Sequence, residues 1–142
     1  MTDDFSGPVG PVDLPVLQQI RTFFMEEEPL AESTRFDDPV NPTELIVEFT
    51  LADRSSARLE VTWWQTGAYR FHYTEPDGID FRYDNHPKSS APDVHFHPPP
   101  DAGPAEPSFL QSATRPLVIT RATMTRIREA IVDEEGLNRL NE

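Results

Sequence analysis

The sequence predicts an α+β domain: a four-stranded antiparallel β-meander with an N-terminal and a C-terminal helix. Three features carry this expectation. Residues 44–84 hold four runs in which apolar side chains fall on every second position, the period of a half-buried strand. An apolar stripe of helical period lies on each side of them. A length of 142 residues suits one domain with a modest core.

Residues 1–12 (MTDDFSGPVGPV) are acidic and rich in Pro and Gly, and read as a disordered tail; a single domain then runs over 13–142. Asp13 can cap a helix with Pro15 in its first turn, and Leu17, Ile20, Phe23 and Phe24 share one face of it. That helix is expected to end near Glu28 and Pro29. Residues 29–43 hold three prolines and read as loop.

The four runs are ELIVEFTL, ARLEVTWW, AYRFHYT and GIDFRYD, and all bury their odd-numbered positions. Directly opposed residues of an antiparallel pair share a face, so odd must oppose odd. Gln65-Thr66-Gly67 and Pro76-Asp77-Gly78 both fit three-residue loops ending in a left-handed glycine. These loops pair Trp63 with Tyr69, and Glu75 with Ile79, Tyr73 with Phe81 and Phe71 with Tyr83. The even-numbered face follows: His72 lies opposite Arg82 and Glu60, and Arg70 opposite Asp84 and Thr62. Charge pairs on exposed strands contribute only about 0.2–1 kcal/mol each. A solvated ionic face therefore competes with a functional cluster there.

Residues 85–116 carry eight prolines, which excludes a regular helix or a central strand. Leu117, Val118 and Ile119 fit either a short strand or the start of a helix. Thr120 can cap a helix whose stripe is Met124, Ile127, Ala130 and Ile131, with Gly136 near its end. The stripe reads as core. Trp64, on the even face, and the outer edge of the 44–51 strand are the places where a homodimer could form.

No apolar run approaches a membrane span. The N-terminal stretch lacks the basic start and apolar core of a signal peptide, so a cytoplasmic protein is expected. Cysteine is absent, which removes disulfides and thiolate chemistry. The net charge is −13, and the 12 basic residues are eleven Arg and Lys88 alone. An acidic, lysine-poor surface suits a halophile: in molar salt the Debye length falls to about 3 Å and self-repulsion is screened. The acidic excess is concentrated in residues 1–50, with 11 acidic and 2 basic groups, while residues 51–132 are nearly balanced at 10 and 9.

Three of the four histidines (His86, His95, His97) fall in that balanced, proline-rich stretch. If 95–97 is extended, His95 and His97 point one way and Phe96 points to the core. Three readings compete. Two imidazoles beside Arg82 and Asp84 can supply the base, acid and cation that RNA cleavage by its own 2′-OH needs, without a metal or other cofactor. The H-x-H with His86 or Asp84 could instead hold zinc or another divalent ion. The third reading is structural, with histidines bonded to loop carbonyls. A non-enzymatic binding module, whose Pro/His loop meets a partner protein, is the alternative to an enzyme.

The stretch DGIDFRYDNHP, followed by HFHPPPDAG and a later helix, resembles the TumE family of toxin–antitoxin toxins. In that family a strand ending in RYDN is followed by a short loop with an H-x-H element and then a helix. The matching positions are Arg82, Tyr83, Asp84, Asn85, His95 and His97, with His86 in the intervening loop, over about residues 45–132. The resemblance implies a small cytoplasmic toxin, neutralised by a DNA-binding antitoxin encoded nearby, with RNA as its target. On this reading His95 and His97 form the acid–base pair, with His86 beside them. Arg82 faces the phosphate, and Asp84 orients Arg70 or a histidine. His72 belongs with Arg70 to the binding face, and Asn85 and Tyr83 shape the turn. Two features depart from the family pattern. The first 40 residues read as an addition, and three prolines follow the H-x-H where family members tend to carry basic residues.

Overall fold

The computed structural model describes residues 10–51, 56–85, 94–111 and 113–142. Among these, seven strands form one antiparallel sheet in sequential order, with helix α1 (Leu14–Glu26) before them and α2 (Pro116–Val132) after. The α+β class and both helices are as expected; the sheet is larger than the predicted four strands. The central four, β2 (Leu45–Phe49), β3 (Ala57–Trp63), β4 (Tyr69–Glu75) and β5 (Ile79–Asn85), are the four apolar runs. Beyond them lie β1 (Ala31–Phe36), β6 (Val94–His97) and the two-residue β7 (Glu106–Pro107). β6 pairs on both sides and corrects the exclusion of a central strand from 85–116, because its four residues VHFH contain no proline.

The meander register is the one that parity and turn chemistry require. Trp63 opposes Tyr69, Tyr73 opposes Phe81, and His72 lies between Glu60 and Arg82. Gly67 and Gly78 close the two loops at φ +92° and +107°, where a Cβ would be strained. Opposed aromatics stack directly, Trp63 on Tyr69 with ring centroids 4.9 Å apart and Tyr73 on Phe81 at 4.7 Å. The odd-numbered residues of β2–β5 join Leu17, Ile20 and Phe24 of α1 and Ile119, Met124 and Ile127 of α2 in one core. Both helices therefore cover the same face of the sheet.

β1 corrects the loop reading of 29–43. Its sequence AESTRF has no apolar alternation, because the register shifts between Ala31 and Ser33. Phe36 and Thr34 oppose odd positions of β2, whereas Ala31 opposes Phe49, so the bulge returns Ala31 to the helix-covered side. β1 also occupies the β2 edge that was a candidate dimer surface. The other candidate, Trp64, is half-buried and bridged to Val12. Residues 10–12 are thus built into the sheet, Pro11 accepting from the Gln65 N–H at 2.9 Å; the rest of the predicted tail lies outside the described residues.

Asp13 caps α1 through the Val16 N–H, as expected. In α2 the expected cap is corrected. Pro116, with its φ fixed for a helix and no N–H to satisfy, starts α2 four residues before Thr120. The Thr120 hydroxyl donates back to the Pro116 carbonyl at 2.7 Å from inside the helix. No helix among the described residues is long and apolar enough to cross a membrane.

Candidate functional site

The last strands of the meander build a cluster centred on Asp84. Alternation puts Arg82 and Asp84 of β5 on the even face, away from the helices. The β5–β6 register then sets His97 opposite Arg82 and His95 opposite Asp84. Arg70 arrives from β4, opposite Asp84 on the other side. Phe96, between the histidines, points to the core and packs on Tyr83 with ring centroids 4.8 Å apart.

The Asp84 carboxylate is fully buried and takes a guanidinium on each oxygen. Arg70 Nε donates to Oδ1 at 3.1 Å and Arg82 Nε to Oδ2 at 2.7 Å. His95 Nε2 and His97 Nε2 stand 3.5 and 3.4 Å from the same Oδ2. The two imidazoles meet edge to face, 5.1 Å between centroids. His95 is 0 % exposed and His97 4 %. This corrects the picture of a solvated ionic face: at Asp84 the even face is interior.

The loop after β6 fixes one imidazole. Ala102 N–H donates to the Asp80 carbonyl at 2.8 Å, which brings residues 98–103 back along the start of β5. Gly103 then presents its carbonyl to His97 Nδ1 at 2.8 Å. A carbonyl only accepts, so Nδ1 carries a proton and Nε2 is the atom turned to Asp84. Neither Gly103 nor the fold-back could be read from HPPPDAG, which signals a turn without its destination.

Other predicted site residues lie apart. His72 shares the even face but bonds Asp80 at 2.8 Å, with Glu60 at 3.6 Å. Asp80 was missed, although it is the diagonal neighbour of His72 in the predicted register. Tyr83 faces the core, where its hydroxyl donates to the Leu140 carbonyl at 2.7 Å. Burial pushes the Tyr83 phenol far up, against the pull of Arg126. Asn85 lies opposite Val94 and Tyr69, off the cluster face. Burial, and then the charge of Asp84, likewise raise the Tyr69 phenol. His86 lies outside the described residues.

A family model described as Toxin TumE matches residues 20–131, and so takes in β1 to β7 and nearly all of α2. The chain belongs to the TumE toxin family. The match begins inside α1, well before the extent that the RYDN and H-x-H motifs alone suggest. No curated protein and no solved structure matches the chain. A TumE toxin implies an antitoxin as partner, and the Asp84 cluster lies wholly within the matched residues.

Proposed function

We propose that this TumE-family chain is the toxin of a toxin–antitoxin module that cleaves RNA in the cytoplasm, with the Asp84 cluster as its reaction centre. The observation that carries this is the register of β4, β5 and β6, which gathers His95, His97, Arg82, Asp84 and Arg70 on one face. Cleavage within an RNA strand needs a base for the 2′-OH, an acid for the departing 5′ oxygen, and positive charge for the pentacoordinate phosphate. His97 suits the base, because Gly103 takes the Nδ1 proton and Nε2 is the nitrogen turned toward the cluster. His95 is the acid, and the half-buried Arg82 and Arg70, held by Asp84, meet the phosphate. The antitoxin, encoded nearby, neutralises this activity, and the acidic, lysine-poor surface fits work in molar salt.

The test is inducible expression of wild type beside a His95→Ala/His97→Ala variant, with circular dichroism to verify that the variant is folded. Growth arrest with RNA breakdown, both lost in the folded variant, is the expected result. Full burial of Asp84 and His95 favours a second reading, a toxin that acts by binding a partner protein. Arrest with intact RNA, unchanged in the variant, would select that reading and discard the first.

A further inference from the structure

We propose that Asp84, His95 and His97 form a site for one divalent transition-metal ion, with zinc the ion that fits best. The argument is geometric. An N–H···O hydrogen bond centres on about 2.9 Å. His95 Nε2 and His97 Nε2, at 3.5 and 3.4 Å from Asp84 Oδ2, are both farther away than that. Two donors on one tetrahedral zinc ion, each bonded at about 2.0–2.1 Å, stand about 3.3 Å apart. The two His–Asp spacings are close to that figure, and one ligand atom from each of the three residues lies within 4.8 Å of the others.

The surroundings match as well. His97 donates Nδ1–H to the Gly103 carbonyl, the partner that commonly fixes a metal-bound imidazole, and so directs Nε2 toward Asp84. A metal ion takes imidazole in its neutral form, and between Nε2 and the carboxylate it attracts both. Arg70 and Arg82 hold the carboxylate plane. Their positive charges oppose a dication. That selects an ion with strong bonds to imidazole nitrogen over magnesium or calcium, which want about six or more oxygens.

The site has a consequence that rests on the acid–base reading above. An ion on the imidazole lone pairs withholds them from proton transfer, so zinc silences RNA cleavage and a chelator restores it.

The first experiment titrates Zn²⁺ into chelator-treated full-length protein against a chromophoric chelator. One equivalent per chain is expected, with affinity lower by about a hundredfold or more in His95→Gln and His97→Gln, and unchanged in His72→Gln. A second measurement needs no variant. Co²⁺ added to the wild type should give the intense visible bands of four-coordinate cobalt, and Zn²⁺ should shift the ring resonances of His95 and His97 but not those of His72. Zinc held equally by the two glutamine variants, or not held by folded wild type, would overturn the site. Cleavage that rises with zinc would overturn the silencing role. One zinc held by these residues in a protein that cleaves no RNA would keep the site and discard the nuclease.

Discussion

Arg82 and Asp84 are two residues apart on β5, and their side chains meet on the even face with Arg82 Nε 2.7 Å from Asp84 Oδ2. Arg70 completes the arrangement from β4 at 3.1 Å. A wholly buried carboxylate is tolerable here because two guanidiniums compensate it, and their burial depends on it in turn.

Removing the carboxylate should therefore be costly. Asp84→Ala removes the carboxylate that both part-buried guanidiniums bond and is expected to destabilise the fold by about 3 kcal/mol or more. Asp84→Asn keeps the shape and should lose less. Urea denaturation measures both. An alanine variant as stable as wild type would mean that the guanidiniums do not depend on Asp84.

Tyr83→Phe separates packing from function. Its hydroxyl serves the Leu140 carbonyl on the core face, so the variant should lose about 1–2 kcal/mol while growth arrest persists. Loss of arrest in a folded Tyr83→Phe protein would return Tyr83 to the site.

Glu44 gives a pH-dependent prediction. Burial, then the charges of Glu60 and Asp37, raise its carboxyl above the ordinary value, with Arg58 and His72 pulling the other way. A carboxyl raised on folding favours the folded state below its unfolded pKa, and that contribution is lost as pH rises through the folded value. At pH 7 the charged Glu44 is therefore a burden, and Glu44→Gln should melt higher than wild type. The gain should shrink as pH falls through the raised value and vanish near pH 4, where both side chains are neutral. A gain that is the same at both pH values would contradict the assignment.

Salt should stabilise the protein. With a net charge of −13, most of it at the surface, raising KCl from about 0.1 M to about 2 M screens self-repulsion and should raise the melting temperature. A fall would argue against the high-salt reading of the composition.

The central sheet was legible because its signals reinforce one another. Alternation fixed the faces, the Gly67 and Gly78 loops fixed the register, and the register placed Arg70 against Asp84 before any coordinates. β1 was hidden because its bulge breaks the period on which a strand is recognised. β7 is too short to carry a pattern. Thr120 looked like a cap because its residue type favours one, and Pro116 overrode it from upstream. The grouping of the imidazoles with Arg82 and Asp84 followed from an extended 95–97. The burial of Asp84 and the Gly103 contact did not, since both depend on where a proline-rich segment returns, and no local rule specifies that.

Among the described residues, the seven strands each pair with strands that are their neighbours along the chain. Strands so connected can zip together progressively as they leave the ribosome, each hairpin closing a short loop. The described groups bonded or adjacent to Asp84 (Arg70, Arg82, His95, His97) and the Gly103 carbonyl all lie between residues 70 and 103, so these groups have been made once that stretch has emerged. The apolar face is not yet covered, because α2 does not begin until residue 116. Synthesis thus supplies the Asp84 cluster before it supplies the helix that seals the core. The last forty residues govern how long the nascent sheet stays open, sticky and exposed to chaperones, proteases or an early encounter with the antitoxin.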